Sequence, residues 1–165
     1  MLSEQKTIWF CQKMNETKNS MYLTAMGILR NKEDAEDAMQ NALILAYTHL
    51  NDLRFFDKFK PWILKILTNE CYKILKKRMY TLDIEEDEAS LSFVQDRTTE
   101  QKTELWESVL ALELKYRTVI ILYYYESMAV KDIAKVLGTT TDAVKQQLSR
   151  ARKMLRNILE KEELL

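Results

Sequence analysis

The sequence predicts an all-α protein made of two small helical domains joined by an acidic linker, and three observations carry that expectation. Glycine occurs twice and proline once in 165 residues, too few breakers for a sheet with its turns or for the glycine-rich loops that cradle nucleotide phosphates. Apolar residues recur at three- and four-residue spacing through most of the chain, the period of a helix with one buried face. Residues 129–156, AVKDIAKVLGTTTDAVKQQLSRARKMLR, read as two short helices broken by a three-residue turn.

The composition, 47% hydrophobic and 30% charged, is that of a soluble globular protein, and an ATPase or dehydrogenase does not fit it. Cys11 and Cys71 are too few for a disulfide framework, and with His49 the only histidine no zinc-type ligand cluster can be assembled. No metal or cofactor is expected. The opening MLSEQKTIWFCQKMNE is interrupted by charge and offers neither a signal peptide nor a span of ~20 apolar residues, so a reducing cytoplasm is expected. The 25 basic and 25 acidic residues cancel, but their distribution is uneven. Residues 61–80 hold five basic side chains and one acid, residues 81–104 two and eight, and residues 131–165 eight and five. Two basic modules flank an acidic strip.

In chain order, residues 1–20 mix Ile8, Trp9 and Phe10 with polar neighbours and predict an initial helix; Tyr22, Ala25, Met26 and Leu29 make a further stripe over 20–30. Asn31, with Asp34 three residues on, predicts a capping box that opens a helix over about 32–50. Ala35, Ala38, Met39, Ala42, Leu45 and Ala46 form its inward stripe, which turns Asp37, Gln40, Asn41 and Ile44 outward. An outward isoleucine among polar groups fits two readings, a single surface apolar residue or a partner site.

Residues 51–60, NDLRFFDKFK, break the periodicity and set three phenylalanines among charges. Pro61 then stands where a helix would begin, and Ile63, Ile66, Leu67, Cys71 and Ile74 carry that helix to Arg78. Its other side presents Lys65, Asn69, Lys73, Lys76, Lys77 and Arg78. Basic groups that track a backbone, interleaved with aromatics on which bases stack, suit a single-strand binding surface; Phe55, Phe56, Phe59 and Trp62 fit a core equally well. Residues 80–104 lose the stripe and read as a tether. Leu105, Trp106, Val109, Leu110 and Leu112 open the second domain, in which 119–125 is expected to be a buried helix despite its β-branched and aromatic content.

In the turn motif, Val130, Ile133, Ala134 and Leu137 recur at helical spacing and Gly138 supplies the positive-φ stop. Residues 139–141 form the turn and the cap of a second helix with its own stripe, Ala143, Val144, Leu148, Ala151 and Leu155. Between 141 and 157 five basic residues stand against one acid, Asp142. Such a face suits phosphates and base edges in a major groove, and it also suits a solvated face on an ordinary helical pair.

Taken together, the two modules resemble the bacterial sigma factors of the compact extracytoplasmic-function type. The resemblance rests on NKEDAEDAMQNALILAYTHL and FKPWILKILTNECYKILKKR in the first domain and on YRTVIILYYYESMAVKDIAKVLGTTTDAVKQQLSRARKMLR in the second. It implies a region 2-like domain over 1–79, a linker over 80–104, a region 4-like domain over 105–165, and a non-enzymatic promoter-specificity subunit. Asp37, Gln40, Asn41 and Ile44 would dock on the clamp coiled coil of the largest subunit of core RNA polymerase, with the flap of the second largest as a further contact. Phe59, Lys60, Trp62, Lys65, Asn69, Lys73, Lys76, Lys77 and Arg78 would open and read the minus-10 element, exposing single strands. Thr141, Asp142, Lys145, Gln146, Gln147, Ser149, Arg150, Arg152 and Lys153 would read the duplex minus-35 element. An anti-sigma factor is the further partner the resemblance implies, and the acidic strip 83–88 would enter a positively charged polymerase channel.

Four positions depart from the family pattern: Glu113 stands where proline is common, Ser127 where glycine is, Lys73 where an acid is frequent and Gln147 where a basic residue is. The first two leave the fold expectation intact, and the last two alter groups that would face DNA. Two rival readings make different expectations. A free-standing dimeric helix-turn-helix regulator would bind its operator tightly without polymerase, and a helical adaptor that binds only protein would show no salt-dependent DNA binding.

Overall fold

The computed structural model describes residues 3–81 and 100–163, the side chains of 100–103, 162 and 163 excepted. Seven α-helices and no strand occur among them, and no helix among them is long and apolar enough to cross a membrane. The chain divides into two compact units, Met1–Ile84 and Glu85–Leu165.

The first unit packs three helices, each against the other two: α1 (Glu4–Leu29), α2 (Lys32–Thr48) and α3 (Phe59–Thr81). The two stripes read over 1–20 and 20–30 belong to one helix, because Phe10, Thr17, Met21, Thr24 and Ile28 keep one buried face through position 20. Ser3 caps α1 by accepting from the Lys6 N–H at 3.2 Å, and Arg30 ends it in the left-handed region, φ 53°. Asn31 caps α2 by accepting from the Asp34 N–H at 2.9 Å. The other half of the expected box is absent, since the Asp34 carboxylate accepts instead from the Arg78 guanidinium. Ala35, Ala38, Ala42 and Ala46 are fully buried, and this small-residue face lets the leucines and isoleucines of α3 approach. Each buried Ile63, Leu64 and Leu67 contributes about 1.5–3 kcal/mol.

Between α2 and α3 the chain makes two short 3-10 turns, Leu50–Asp52 and Phe56–Lys58. Helix α3 starts two residues before Pro61, which the first turn tolerates because its N–H groups lack intrahelical acceptors in any case. The linker expected over 80–104 is helical at both ends, 80–81 in α3 and 100–104 in α4; residues 82–99, with the acidic strip 83–88, lie outside the described residues.

The second unit runs α4 (Glu100–Leu110), α5 (Leu114–Ile120), α6 (Val130–Leu137) and α7 (Thr141–Glu163). Helix α5 continues into a π-helical turn, Ile121–Tyr125, closed by the Glu126 N–H on Ile121 O at 3.0 Å. The run 119–125 is therefore helical but buried only in part: Val119, Ile120, Ile121 and Leu122 are core, whereas Tyr124 is 52% exposed. Gly138, φ 64°, ends α6 with open space where a Cβ would stand, so the positive φ is what requires glycine there. Thr140 caps α7 by accepting from the Ala143 N–H at 3.1 Å. Ile133, Ala134, Val144, Leu148 and Ala151 close the small core between α6 and α7.

Candidate nucleic-acid interface

In the second unit, burying Val144, Leu148 and Ala151 turns the opposite side of α7 to solvent. Thr141, Asp142, Lys145, Gln146, Ser149, Arg150, Arg152 and Lys153 are exposed; Gln147 is half-buried at the margin of the stripe. Lys145, Arg150 and Lys153 have no side-chain partner among the described residues, so their charges and donors face outward uncompensated. Asp142 lies in the first turn, where a carboxylate complements the helix dipole. Arg152 differs, because its Nε donates to the Tyr124 hydroxyl at 2.6 Å. Residues 124 and 152 are 28 positions apart, and Tyr124 was not legible as a site residue in the sequence.

In the first unit, α3 and the end of α2 bound an open groove of about 690 Å³. It gathers five of the candidate residues, Trp62, Lys65, Asn69, Lys73 and Lys76, and adds His49, Glu70 and Tyr72, which the sequence reading missed. A half-buried indole, an amide and several ammonium groups in one groove can stack a base, hydrogen-bond its edge and neutralise its phosphate. Lys65, Lys76 and Lys77 have no side-chain partner among the described residues. Lys73 donates to the Glu70 carboxylate at 2.9 Å, and that carboxylate's side chain is only 9% exposed.

Two candidates do other work. Phe59 is 2% exposed, with the rings of Trp9, Phe10 and Trp62 around it at centroid distances of 5.5, 6.1 and 5.7 Å. It supports Trp62 from below and has no face to offer a base. Arg78 is half-buried and donates to Leu29 O at 3.0 Å as well as to Asp34, which spends its fork on the α1–α2 junction. Lys60 is half-buried. The exposed rings of the loop are instead Phe55 and Phe56, 67% and 55% exposed, the latter edge-on to Trp9 at 4.8 Å.

On α2, Asp37, Gln40, Asn41 and Ile44 share one exposed face. Ile44 is 59% exposed and is joined at the surface by Leu43 and Tyr47, so it is part of a cluster and not a solitary apolar residue.

Residues 15–80 match the family described as Sigma-70 region 2, and residues 102–155 the family described as Sigma-70, region 4. The RNA polymerase sigma factor SigV of Bacillus subtilis is 30% identical over 152 residues, covering 92% of this chain and 91% of that protein. The chain belongs to the sigma-70 family. Another sigma factor of that organism, the extracytoplasmic-function (ECF) RNA polymerase sigma factor SigW, is 29% identical over 163 residues, 86% of this chain and 84% of its own, and this sigma factor is of the same ECF type. The fold recurs in the sigma factor RpoE of Bartonella quintana, solved with the anti-sigma factor NepR, at a TM-score of 0.76 and 22% identity over 92% of this chain and 96% of that one. It recurs also in CnrH, solved with the cytosolic domain of CnrY, at a TM-score of 0.67 and 20% identity over 92% and 88%. As a sigma factor the protein is a promoter-specificity subunit of bacterial RNA polymerase, and the free-standing regulator is not favoured.

Proposed function

We propose that this sigma factor divides promoter reading between its two units. Helix α7 enters the major groove of the minus-35 element, where Thr141, Asp142, Lys145, Gln146, Ser149, Arg150 and Lys153 meet base edges and phosphates and Gln147 stands at the margin. The groove of the first unit receives the opened minus-10 strand against Trp62, Asn69, Lys65, Lys73 and Lys76, with Lys60 and Lys77 on its approach. Phe59 supports Trp62 from beneath, and Arg78 acts at the α1–α2 junction. No covalent step is required of the protein: holding unstacked bases on aromatics offsets the few kcal/mol that unstacking costs per step. It acts without being an enzyme, in the cytoplasm.

Asp37, Gln40, Asn41 and Ile44, widened by Leu43 and Tyr47, form the face that docks on the clamp coiled coil of the largest polymerase subunit, and the second unit meets the flap of the second largest. The solved relatives held by NepR and by the cytosolic domain of CnrY support an anti-sigma protein as a further partner. The observation that carries the reading is the row of Lys145, Arg150 and Lys153 on α7, exposed and without side-chain partners among the described residues.

Transcription with core polymerase on genomic fragments supplies a promoter on which to test it. There, Arg150→Ala is expected to weaken binding by ~1–3 kcal/mol if the guanidinium grips a base bidentately. Asn69→Ala is expected to reduce the permanganate reactivity of unpaired thymines near minus-10. Unchanged binding and selectivity across alanine variants of Lys145, Gln146, Ser149 and Arg150 would contradict the assignment of α7.

A further inference from the structure

The basic side chains of α7 are not alike. Lys145, Arg150 and Lys153 extend without partners among the described residues, whereas Arg152 is gripped. Its Nε donates to the Tyr124 hydroxyl at 2.6 Å, and its guanidinium carbon stands 5.6 Å from the ring centroids of both Tyr123 and Tyr124. The two rings meet edge-on, 4.8 Å apart at 79°. Both belong to the π-helical turn Ile121–Tyr125, whose Ile121 and Leu122 are fully buried, so the grip is rooted in the core while Tyr124 remains at the surface.

A solvated arginine loses rotamer freedom when a ligand orders it; folding has already ordered this one. The guanidinium has five N–H donors. With Nε engaged, the two terminal nitrogens are left to face a ligand, and their fork matches two oxygens of a phosphate. The Tyr124 hydroxyl, accepting from Nε, keeps its own proton to donate. Position 152 follows Lys145 by two helical turns and Ser149 by one, which puts it on one flank of the exposed face. A flank of a helix lying in the major groove meets the sugar-phosphate backbone before it meets base edges.

We propose that Tyr124, assisted by Tyr123, is a positioning residue that holds Arg152 as a clamp for a DNA backbone phosphodiester at the border of the upstream element. The clamp rests on the reading that α7 binds DNA. It contributes affinity and register and carries no base preference of its own.

The test is binding of the holoenzyme to the promoter fragment as a function of salt. Arg152→Ala is expected to weaken binding about tenfold and to lower the log–log salt slope by about 1; Arg152→Lys restores the slope and not the affinity. Tyr124→Phe keeps both the ring and the arginine charge, so it is expected to weaken binding about threefold at an unchanged slope. Tyr124→Ala added to Arg152→Ala should change binding less than about twofold, because the tyrosine acts through the arginine. Melting of the free variants checks the fold, and Tyr124→Phe, which removes one oxygen, keeps the test open if Tyr124→Ala unfolds. Wild-type binding by Tyr124→Phe, or full additivity of the two alanine changes, overturns the clamp. If Lys145→Ala and Arg150→Ala weaken binding while Tyr124→Phe does not, the clamp alone falls; if none of them does, the reading of α7 falls with it.

Discussion

Cys71 is fully buried on α3, and that burial, with the neighbouring Glu70 carboxylate as the lesser cause, pushes its thiol from 9.0 up to about 12. Between those values the unfolded chain gives up a proton that the folded chain keeps. The associated stability is therefore intact below pH 9.0 and declines as pH rises toward 12. Burial pushes Tyr125 in the same direction. Cys11, by contrast, is exposed. Near neutral pH an alkylating reagent is expected to label Cys11 alone, with Cys71 reacting only in denaturant; equal labelling of the two in the native protein would contradict the buried thiol. Ser127 holds φ 54°, a left-handed conformation that a Cβ disfavours. Ser127→Gly is expected to raise the stability of the free chain by roughly 0.5–1 kcal/mol in urea melts, and a loss of stability would contradict that backbone.

The tie from α3 to the α1–α2 junction rests on Arg78, which joins Leu29 O and the Asp34 carboxylate. Arg78→Ala is expected to cost about 1–2 kcal/mol of stability in the free protein; a variant that melts like the wild type and only binds DNA less well would return Arg78 to the interface. This contact also marks where the sequence stopped being informative. The turn motif was legible because its signals are local: Gly138 requires the positive φ, Thr140 reaches a donor three residues on, and Val144, Leu148 and Ala151 repeat at helical spacing. The outward face of α2 was legible for the same reason, as the complement of four buried alanines. In NDLRFFDKFK no period tells which ring turns inward, and packing selected Phe59 over Phe55 and Phe56. Asp34 with Arg78 and Tyr124 with Arg152 join residues 44 and 28 apart, pairings that only tertiary packing decides. The π-helical turn that brings Tyr124 to the surface left no mark in the periodicity of 119–125.

Across the 165 residues the charges cancel, and among the described residues the candidate surfaces offer few unpartnered cations, Lys65, Lys76 and Lys77 on the first unit and Lys145, Arg150 and Lys153 on the second. Electrostatic attraction of the free chain for a duplex is correspondingly small and falls steeply with salt. Two weak sites on one chain reinforce each other only when something sets a separation that lets both engage, and on this account the core enzyme, gripped through the exposed face of α2, sets it. Footprinting of a promoter with the free protein and with the holoenzyme tests this most directly. Faint, salt-sensitive and unselective protection is expected from the free protein, and protection of both the minus-35 and minus-10 elements once core polymerase is added. A clean, sequence-specific footprint from the free protein as a dimer would contradict it.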